Sequence, residues 1–245
     1  MIEPNVWRGL KATALNQLET QNYKQADLSD ALSSEGVLVA DLIANRESLI
    51  DQWIPGVEVF SRRVFSQKGR GHFSELVRIN EGILNDIGLI PQQYASASMH
   101  TKSAKGFHIH PPHIPAEYSA EDWFSKCYIN EPANFSLRNY GLEQWDVMFF
   151  LTSICEVFLV DERVGMPRNV MRFTIHGDKY PGSENAAVVI PPGVAHAIKN
   201  IGAEDLIMTY GTSTPFNPDW EGRIVSCVEE VSLDERWETY MNKPL

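Results

Sequence analysis

Histidines are concentrated in one short stretch of the chain. Residues 106–113 read GFHIHPPH and hold three of its seven histidines. On a β-strand side chains alternate between the two faces, so His108 and His110 are predicted to point to the same side. Two imidazoles on one inward face suit metal ligation or proton transfer at a buried substrate. A hydrogen-bonded pair without a reactive role is the plainer alternative. Pro111 and Pro112 are expected to end the strand.

A second histidine lies in a turn motif further along the chain. Residues 191–200 read PPGVAHAIKN, in which Gly193 permits a tight turn between strands. His196 is then expected to begin the following strand and to face the interior. The spacing PxGxxHxxxN resembles the second sequence motif of the cupin superfamily. Each motif alone is weak, but HxH followed by this spacing is fairly specific.

The elements that position these residues are predicted to be short strands. Each is rich in apolar or β-branched residues and is bounded by Gly, Pro or Asn turn signals; they cover residues 57–60, 63–65, 147–151, 156–160, 186–190 and 206–210. Residues 147–151 are too apolar for an edge strand. Many short strands with few helical windows predict a mainly β protein, either an antiparallel barrel or a double-sheet jelly roll, that encloses a ligand cavity. The resemblance of the two histidine motifs to cupins implies a cupin-type antiparallel jelly-roll barrel.

The first part of the chain reads differently. Residues 1–54 carry apolar side chains at roughly helical spacing, which predicts a helical N-terminal extension with a helix over residues 36–53. A packing or dimer contact is the expected role of these helices. The domain organisation is therefore predicted as an extension over residues 1–54 and a jelly-roll domain over residues 55–245.

Composition excludes several classes of protein. The 245 residues carry a net charge of −11, which argues against a general nucleic-acid-binding surface. The three cysteines show no CxxC spacing, so a disulfide framework is not expected and a reducing compartment is favoured. The chain has neither an apolar run long enough for a membrane span nor a secretory signal at its start. A cytoplasmic protein is expected.

A closer family resemblance runs from about residue 55 to residue 224. It rests on six motifs in order: RGHFSE at 70–75, QQYASAS at 92–98, KGFH at 105–108, VDER at 160–163, PPGVAH at 191–196 and YGTSTPFNP at 210–218. This order resembles the dTDP-4-dehydrorhamnose 3,5-epimerase family, a jelly-roll cupin family of dTDP-rhamnose biosynthesis whose members are usually dimers. The resemblance implies a carbohydrate epimerase without a cofactor, acting on a nucleotide sugar as a homodimer.

The chemistry that the resemblance implies is proton abstraction beside the ketone of a nucleoside-diphosphate 4-keto-6-deoxy sugar. By the resemblance, His108 is the base and Tyr210 is the acid that returns a proton to the opposite face of the sugar. His196 matches a second pocket histidine, and Lys105 stands where the family has an arginine that holds the diphosphate. Phe73 and Glu75 match nucleotide contacts, and Gln92 matches a further ligand contact. The nucleotide, the sugar and the number of carbons epimerised stay open.

A local run of basic residues gives independent support for an anionic ligand. Arg62, Arg63, Lys68 and Arg70 lie between residues 59 and 73 with no acidic residue among them. In an acidic chain such a run is expected to attract a diphosphate, and Arg70 is included among the predicted substrate-binding residues. A solvated loop is the alternative.

One departure from the family favours a different class of enzyme. His110 stands where the family has glutamine, which restores the HxH pair of metal-binding cupins. His108, His110 and His196 are then predicted to bind a divalent transition metal such as Zn, Fe, Mn or Ni. The fourth ligand would be His113, Glu117 or Glu156. This alternative is a metal-dependent cupin, either an oxygenase or a small-molecule isomerase.

Other departures leave room for a non-catalytic sugar-binding cupin. Residues 114–145 are longer than the family's strand connection, and the family's enolate-stabilising lysine has no secure match, since Lys126 lies inside this insertion and Asp146 falls closer to the aligned position. The family's base-orienting aspartate is not evident either, although Asp161 or Asp234 could serve. Phe216 replaces a tyrosine and so loses one hydroxyl.

Overall fold

The computed structural model describes residues 36–78, 81–110, 144–163, 166 and 169–216, with the backbone of 222–223. Several predicted features lie outside these residues: the helices of residues 1–35, most of the 114–145 insertion with Lys126, and the candidate ligands or partners His113, Glu117 and Asp234. No helix in the described ranges combines the length and apolar character needed to cross a lipid bilayer.

The described elements are short and mostly strands. In chain order they are β1 (Val37–Leu38), α1 (Val39–Ala44), β2 (Glu58–Ser61), β3 (Val64–Gln67), β4 (Gly71–Ser74), α2 (Ile83–Asp86), β5 (Gln93–Met99), β6 (Ala104–Ile109), β7 (Asp146–Phe150), β8 (Ile154–Asp161), β9 (Val170–His176), β10 (Ala186–Ile190), β11 (Val194–Asn200), β12 (Leu206–Thr212) and β13 (Gly222–Arg223). The six predicted strands correspond to β2, β3, β7, β8, β10 and β12, within a few residues at their ends.

These strands form two larger sheets and one separate hairpin. The first sheet has the order β1-β9-β8-β11-β6-β13, and the second has the order β2-β10-β7-β12-β5. Pairing is antiparallel throughout except between β1 and β9, and β3 and β4 form the hairpin. Strands adjacent in a sheet are often distant in sequence, as in a double-sheet jelly roll. The predicted antiparallel jelly-roll fold is confirmed.

The main core lies between the two sheets. Leu159 of β8 and Phe173 of β9 pack there with Met148 and Phe150 of β7. The opposite face of β7 is also covered, because Val147 and Phe149 pack in a second cluster with Leu84 of α2 and Leu89 of the loop after it. Burial on both faces explains why β7 reads as a continuous apolar run. The prediction that residues 147–151 are not at an edge is confirmed, since β7 lies between β10 and β12.

The predicted helix over residues 36–53 is wrong for most of its length. Val37 and Leu38 pair with the edge of β9 instead, and α1 has only six residues before the chain enters turns. Tertiary pairing here overrides helical periodicity. Val39 and Trp53 are buried in the main core, so the described part of the predicted extension shares its core with the β domain.

Candidate active site

A cavity of about 570 Å³ is lined by strands from both sheets. β6 and β11 of the first sheet contribute to one wall, and β5, β7 and β12 of the second contribute to the other. The polar residues that line it are Gln93, Ser98, His100, Ser103, Lys105, His108, His110, Gln144, Asp146, His196, Tyr210 and Thr212. Four histidines, a carboxylate and a phenol therefore line one cavity.

Two of the histidines are brought together by strand pairing. His108 on β6 lies directly opposite His196 on β11, and their rings stack with centroids 5.9 Å apart. Direct cross-strand partners share a face of the sheet, so both side chains reach the cavity. His110 follows the end of β6, and its ring centroid lies 5.3 Å from that of His196. The predicted common orientation of His108 and His110 agrees with their place in the cavity lining.

A bulge in β6 determines which residues accompany these histidines. His196 pairs with His108, but Ile198 pairs with Lys105, so β6 has one residue more than β11 between these pairs. Gly106 lies in this bulge with φ at +123°, and a Cβ atom there would lie 2.5 Å from that of Ala197. Glycine is thus required both by backbone conformation and by the close approach of the strands.

Asp146 is the centre of the polar contacts inside the cavity. Its Oδ2 atom lies 2.9 Å from Nε2 of His110 and 3.6 Å from Nε2 of His196. Its Oδ1 atom accepts a hydrogen bond of 2.9 Å from the amide of Gln144, whose own oxygen accepts one of 2.9 Å from the hydroxyl of Thr214. One carboxylate therefore faces two imidazoles and is held from behind by an amide.

Burial and charge set the protonation of this group. Burial alone raises the pKa of Asp146, but the neighbouring His110 and His196 and the hydrogen bond from Gln144 outweigh it and lower the pKa to about 2. Burial also dominates at His196, where it lowers the pKa to about 4 although Asp146 opposes the shift. At neutral pH Asp146 is therefore ionised and His196 is neutral.

Tyr210 reaches the same cavity from the other sheet. It lies on β12 opposite Met148 of β7, and both side chains line the cavity. The histidines belong to β6 and β11, so the phenol and the imidazoles are carried by different walls. The structure thus brings together the residues to which the resemblance assigns the base, the acid and a second pocket histidine.

The other predicted substrate-binding residues divide into two groups. Lys105 lines the cavity, where its Nζ atom donates a hydrogen bond of 2.9 Å to the carbonyl of Ser98. Among the described residues, the cavity lining does not include Phe73, Glu75 or Arg70. All three lie on or beside the β3–β4 hairpin.

Gln92 is also outside the cavity lining, and its neighbour Gln93 takes that place. Gln92 is exposed, and its backbone amide donates to the carbonyl of Thr212. Side chains alternate along β5, so a difference of one residue changes the face that a side chain occupies. Motif matching located the strand but not the residue that faces inward.

The predicted basic run is wrong at its first member. Arg62 is buried, with its guanidinium 3.0 Å from the carboxylate of Asp178 and over the ring of Phe149. Arg63, Lys68 and Arg70 are exposed. The buried Arg62 is already paired inside the protein, so it is not available to an external anion.

Asp161 is not placed to orient a catalytic base. Both of its carboxylate oxygens accept hydrogen bonds from Arg163, each 2.7 Å long, and both residues are fully buried. Burial raises the pKa of Asp161, and the charge of Arg163 opposes that rise. The VDER segment therefore forms an internal ion pair, and the described carboxylate beside the histidines is Asp146.

The candidate metal ligands in the structure differ from the predicted set. His110 and His196 join Asp146 in a set whose ligand atoms all lie within 4.8 Å of one another, and His108 is outside that set. Glu156 is excluded as a fourth ligand, because it pairs with Arg172. It also lies three residues from Leu159, the direct partner of His196, and so faces the opposite side of the sheet.

Asp146 and Gln144 were missed as site residues by sequence reasoning. A signal for Asp146 did exist: a carboxylate begins a strand whose next four residues are all buried. A charge at such a position is seldom tolerated without a partner. Its partners are distant in sequence, so the pattern alone could not name them.

The geometry defines a jelly roll whose cavity contains histidine, aspartate and tyrosine, and known structures with similar folds exist. Streptomyces bikiniensis ChmJ, a 3'-monoepimerase solved as a double mutant in complex with dTDP, has 17% identity over 68% of this chain and 67% of its own, with a TM-score of 0.49. Legionella pneumophila RmlC, a dTDP-6-deoxy-D-glucose-3,5-epimerase in complex with dTDP-4-keto-L-rhamnose, has 15% identity over 75% and 77%, with a TM-score of 0.48. Sulfolobus tokodaii dTDP-4-dehydrorhamnose 3,5-epimerase has 16% identity over 75% and 88%, with a TM-score of 0.49.

No family model matches the chain, and no curated protein matches its sequence. The similarities in structure are distant. The function proposed below therefore depends on this chain's own residues.

Proposed function

We propose that this chain is an epimerase of a nucleoside-diphosphate 4-keto-6-deoxy sugar, acting by proton abstraction beside the ketone. The observation that carries the proposal is that His108 and Tyr210 line one cavity from two different sheets. Inversion at carbon needs a base on one side of the sugar and an acid on the other. Two walls that each supply one of these groups meet that requirement.

The residues divide the reaction as follows. His108 accepts the proton from the carbon next to the ketone, and the electron pair moves to the ketone oxygen to give an enolate. Tyr210 returns a proton to the opposite face of the same carbon and restores the ketone. No bond of the sugar ring breaks, and no electrons are gained or lost. His196 stacks on His108 and limits the movement of its ring.

The size and lining of the cavity fit a sugar nucleotide as substrate. Its volume of about 570 Å³ lies within the usual range for small-molecule sites. Lys105 is exposed and lines the cavity, which places one permanent positive charge where a diphosphate could be held. The motif order of the sequence favours this substrate class, and dTDP-rhamnose biosynthesis is the proposed setting.

We propose in addition that the enzyme is a cytoplasmic homodimer. The hairpin β3–β4 places Phe65 directly opposite Phe73, and the two are 55% and 53% exposed. Paired apolar rings on an exposed hairpin favour contact with a second copy of the chain. Sedimentation analysis of the wild type and a Phe65→Ser/Phe73→Ser variant tests this, and a monomeric wild type contradicts it. The cysteine pattern supports the location.

Solvent deuterium exchange tests the proposed reaction. The full chain is incubated in deuterated water with dTDP-4-keto-6-deoxy-glucose, and label at C3 and C5 is measured by NMR and mass spectrometry. We expect label at one or both carbons, at a rate that depends on enzyme concentration. A folded protein that binds this nucleotide sugar without exchange would instead be the sugar-binding cupin, and the epimerase proposal would fail for that substrate.

A further inference from the structure

We infer that His110, Asp146 and His196 form a binding site for one divalent transition-metal ion. The ligand atoms of the three side chains lie within 4.8 Å of one another. All three residues are more than nine-tenths buried, and all three line the cavity. They come from three separate segments, the end of β6, the start of β7 and the middle of β11. The fold itself therefore makes these atoms converge.

The backbone contact of His196 determines which of its ring nitrogens can bind a metal. Its Nδ1 atom lies 3.2 Å from the backbone carbonyl of Val194. A carbonyl oxygen only accepts hydrogen bonds, so Nδ1 carries the hydrogen, and in the neutral ring Nε2 presents a lone pair. That lone pair faces Oδ2 of Asp146 at 3.6 Å, which is too long for a hydrogen bond. A cation between two such acceptors would bind both.

The groups behind the ligands match the outer shell of metal sites. A ligating histidine normally donates its second ring N–H to a carbonyl, as His196 does to Val194. A ligating carboxylate is normally hydrogen-bonded through its other oxygen, as Asp146 is to Gln144. Thr214 fixes the amide of Gln144 in turn. The same Oδ2 atom lies 2.9 Å from Nε2 of His110 and 3.6 Å from Nε2 of His196, so one carboxylate oxygen is close to both ring nitrogens.

The ligand set indicates the class of metal. Two imidazole nitrogens and one carboxylate oxygen suit Fe(II), Mn(II), Co(II), Ni(II) or Zn(II) and leave coordination positions open. Among the described lining residues, Lys105 is the one permanent cation, and its ammonium is hydrogen-bonded to Ser98. If the proposed function holds, the metal would place a positive charge near a developing enolate oxygen. Metal binding itself does not depend on that function.

Cobalt binding provides the test, because Co(II) gives visible absorption bands when proteins ligate it. Full-length protein is stripped with chelator and titrated with Co(II), and the metal content of untreated protein is measured by elemental analysis. We expect about one metal per chain and saturable absorption bands. The Asp146→Asn and His110→Asn variants should each bind at least about 100-fold more weakly. Gln144→Leu, which keeps all three ligands, should bind about 10-fold more weakly.

Two controls separate metal binding from folding and from catalysis. His108→Asn changes the neighbouring histidine outside the ligand set and should bind Co(II) as the wild type does. Circular dichroism confirms that each variant is folded, and if Asp146→Asn does not fold, Gln144→Leu carries the test. The inference is overturned if folded wild type binds no stoichiometric metal, or if His108→Asn weakens binding as much as His110→Asn. Deuterium exchange is scored separately, so failure of the proposed reaction is distinguishable from absence of a metal.

Discussion

Lys105 and His108 line the same cavity although three residue steps separate them along β6. In a regular strand an odd separation would place them on opposite faces. The extra residue at Gly106 corrects the parity, because the register shifts by one between the pairs with His196 and Ile198. A lysine and a histidine are thus aligned on one face by a single irregularity in the sheet.

The first prediction concerns that irregularity. Gly106→Ala would bring a Cβ atom to 2.6 Å from the carbonyl of His196, in addition to the clash with Ala197. Overpacking of this kind costs roughly 1–3 kcal/mol, added to a backbone strain of about 1–3 kcal/mol at positive φ. Gly71 has a similar φ of +108° with open space around it, so Gly71→Ala should show the strain alone. Urea unfolding of both variants measures the difference in the free energy of unfolding. Equal losses of stability in the two variants would contradict a steric clash at Gly106.

The second prediction concerns the proposed base and acid. His108→Ala and Tyr210→Phe should each lower turnover by about two to four orders of magnitude, the usual scale for a general acid or base. The matched control for the phenol is Tyr94→Phe on the neighbouring strand β5, outside the cavity lining. His176→Ala on β9 serves the same purpose for the imidazole. Turnover and deuterium incorporation are measured together, and a fully active Tyr210→Phe would remove the phenol from the mechanism.

The third prediction concerns recognition of the anionic part of the substrate. Lys105→Gln should weaken binding of dTDP by about 10-fold, in line with one hydrogen bond to a charged group. The loss should shrink at high salt, because this lysine is exposed and screened. Lys102→Gln changes a lysine in the adjacent turn that does not line the cavity, and should bind as the wild type does. Calorimetric titration measures the effect, and equal affinities for both variants would reject Lys105 as the diphosphate contact.

The fourth prediction concerns the buried ion pair of the VDER segment. Arg163→Met leaves the carboxylate of Asp161 without its bidentate partner in a fully buried position, and should lower the free energy of unfolding by about 3–5 kcal/mol. The comparison variant is Arg172→Met, whose partner Glu156 lies nearer the surface. A smaller loss is expected there. Urea unfolding distinguishes the two, and a comparable or larger loss for Arg172→Met would contradict the role given to burial.

The fifth prediction concerns thiol chemistry. Cys155 is fully buried, and burial raises the pKa of its thiol above the ordinary range. Thiolate is the reactive form, so Cys155 should resist alkylation by iodoacetamide at pH 8 in native protein. It should react once the chain is unfolded in urea. Peptide mapping by mass spectrometry follows this residue, and rapid alkylation of native protein would contradict the prediction.

The sequence predicted the architecture well where the pattern is local. The apolar run at 147–151, the turn before His196 and the HxH pair each indicated a strand or a face that the structure contains. β9 was not predicted, although Met171, Phe173 and Ile175 alternate with polar residues and are all buried. That alternation is the usual signal of a half-buried strand, so the omission could have been avoided.

Other features could not be read from one sequence. The bulge at Gly106 depends on how closely β11 approaches, and the pairing of Asp146 with His110 joins residues that are distant along the chain. The burial of Arg62 depends on its ion pair with Asp178, which is also distant in sequence. Contacts between residues that are distant in sequence determine which polar groups face a cavity. A sequence motif shows only which residue types are present, not which of them come together.

The place of Asp146 in β7 has a consequence for how the site responds to fluctuations. Both faces of this strand are packed, one in each apolar cluster. Asp146 shares the face of Met148 and Phe150, so partial openings that loosen only the hairpin or the edge strands leave it covered until the main cluster between the two sheets separates. The negative charge that faces the two imidazoles should therefore hold its position until the whole domain unfolds.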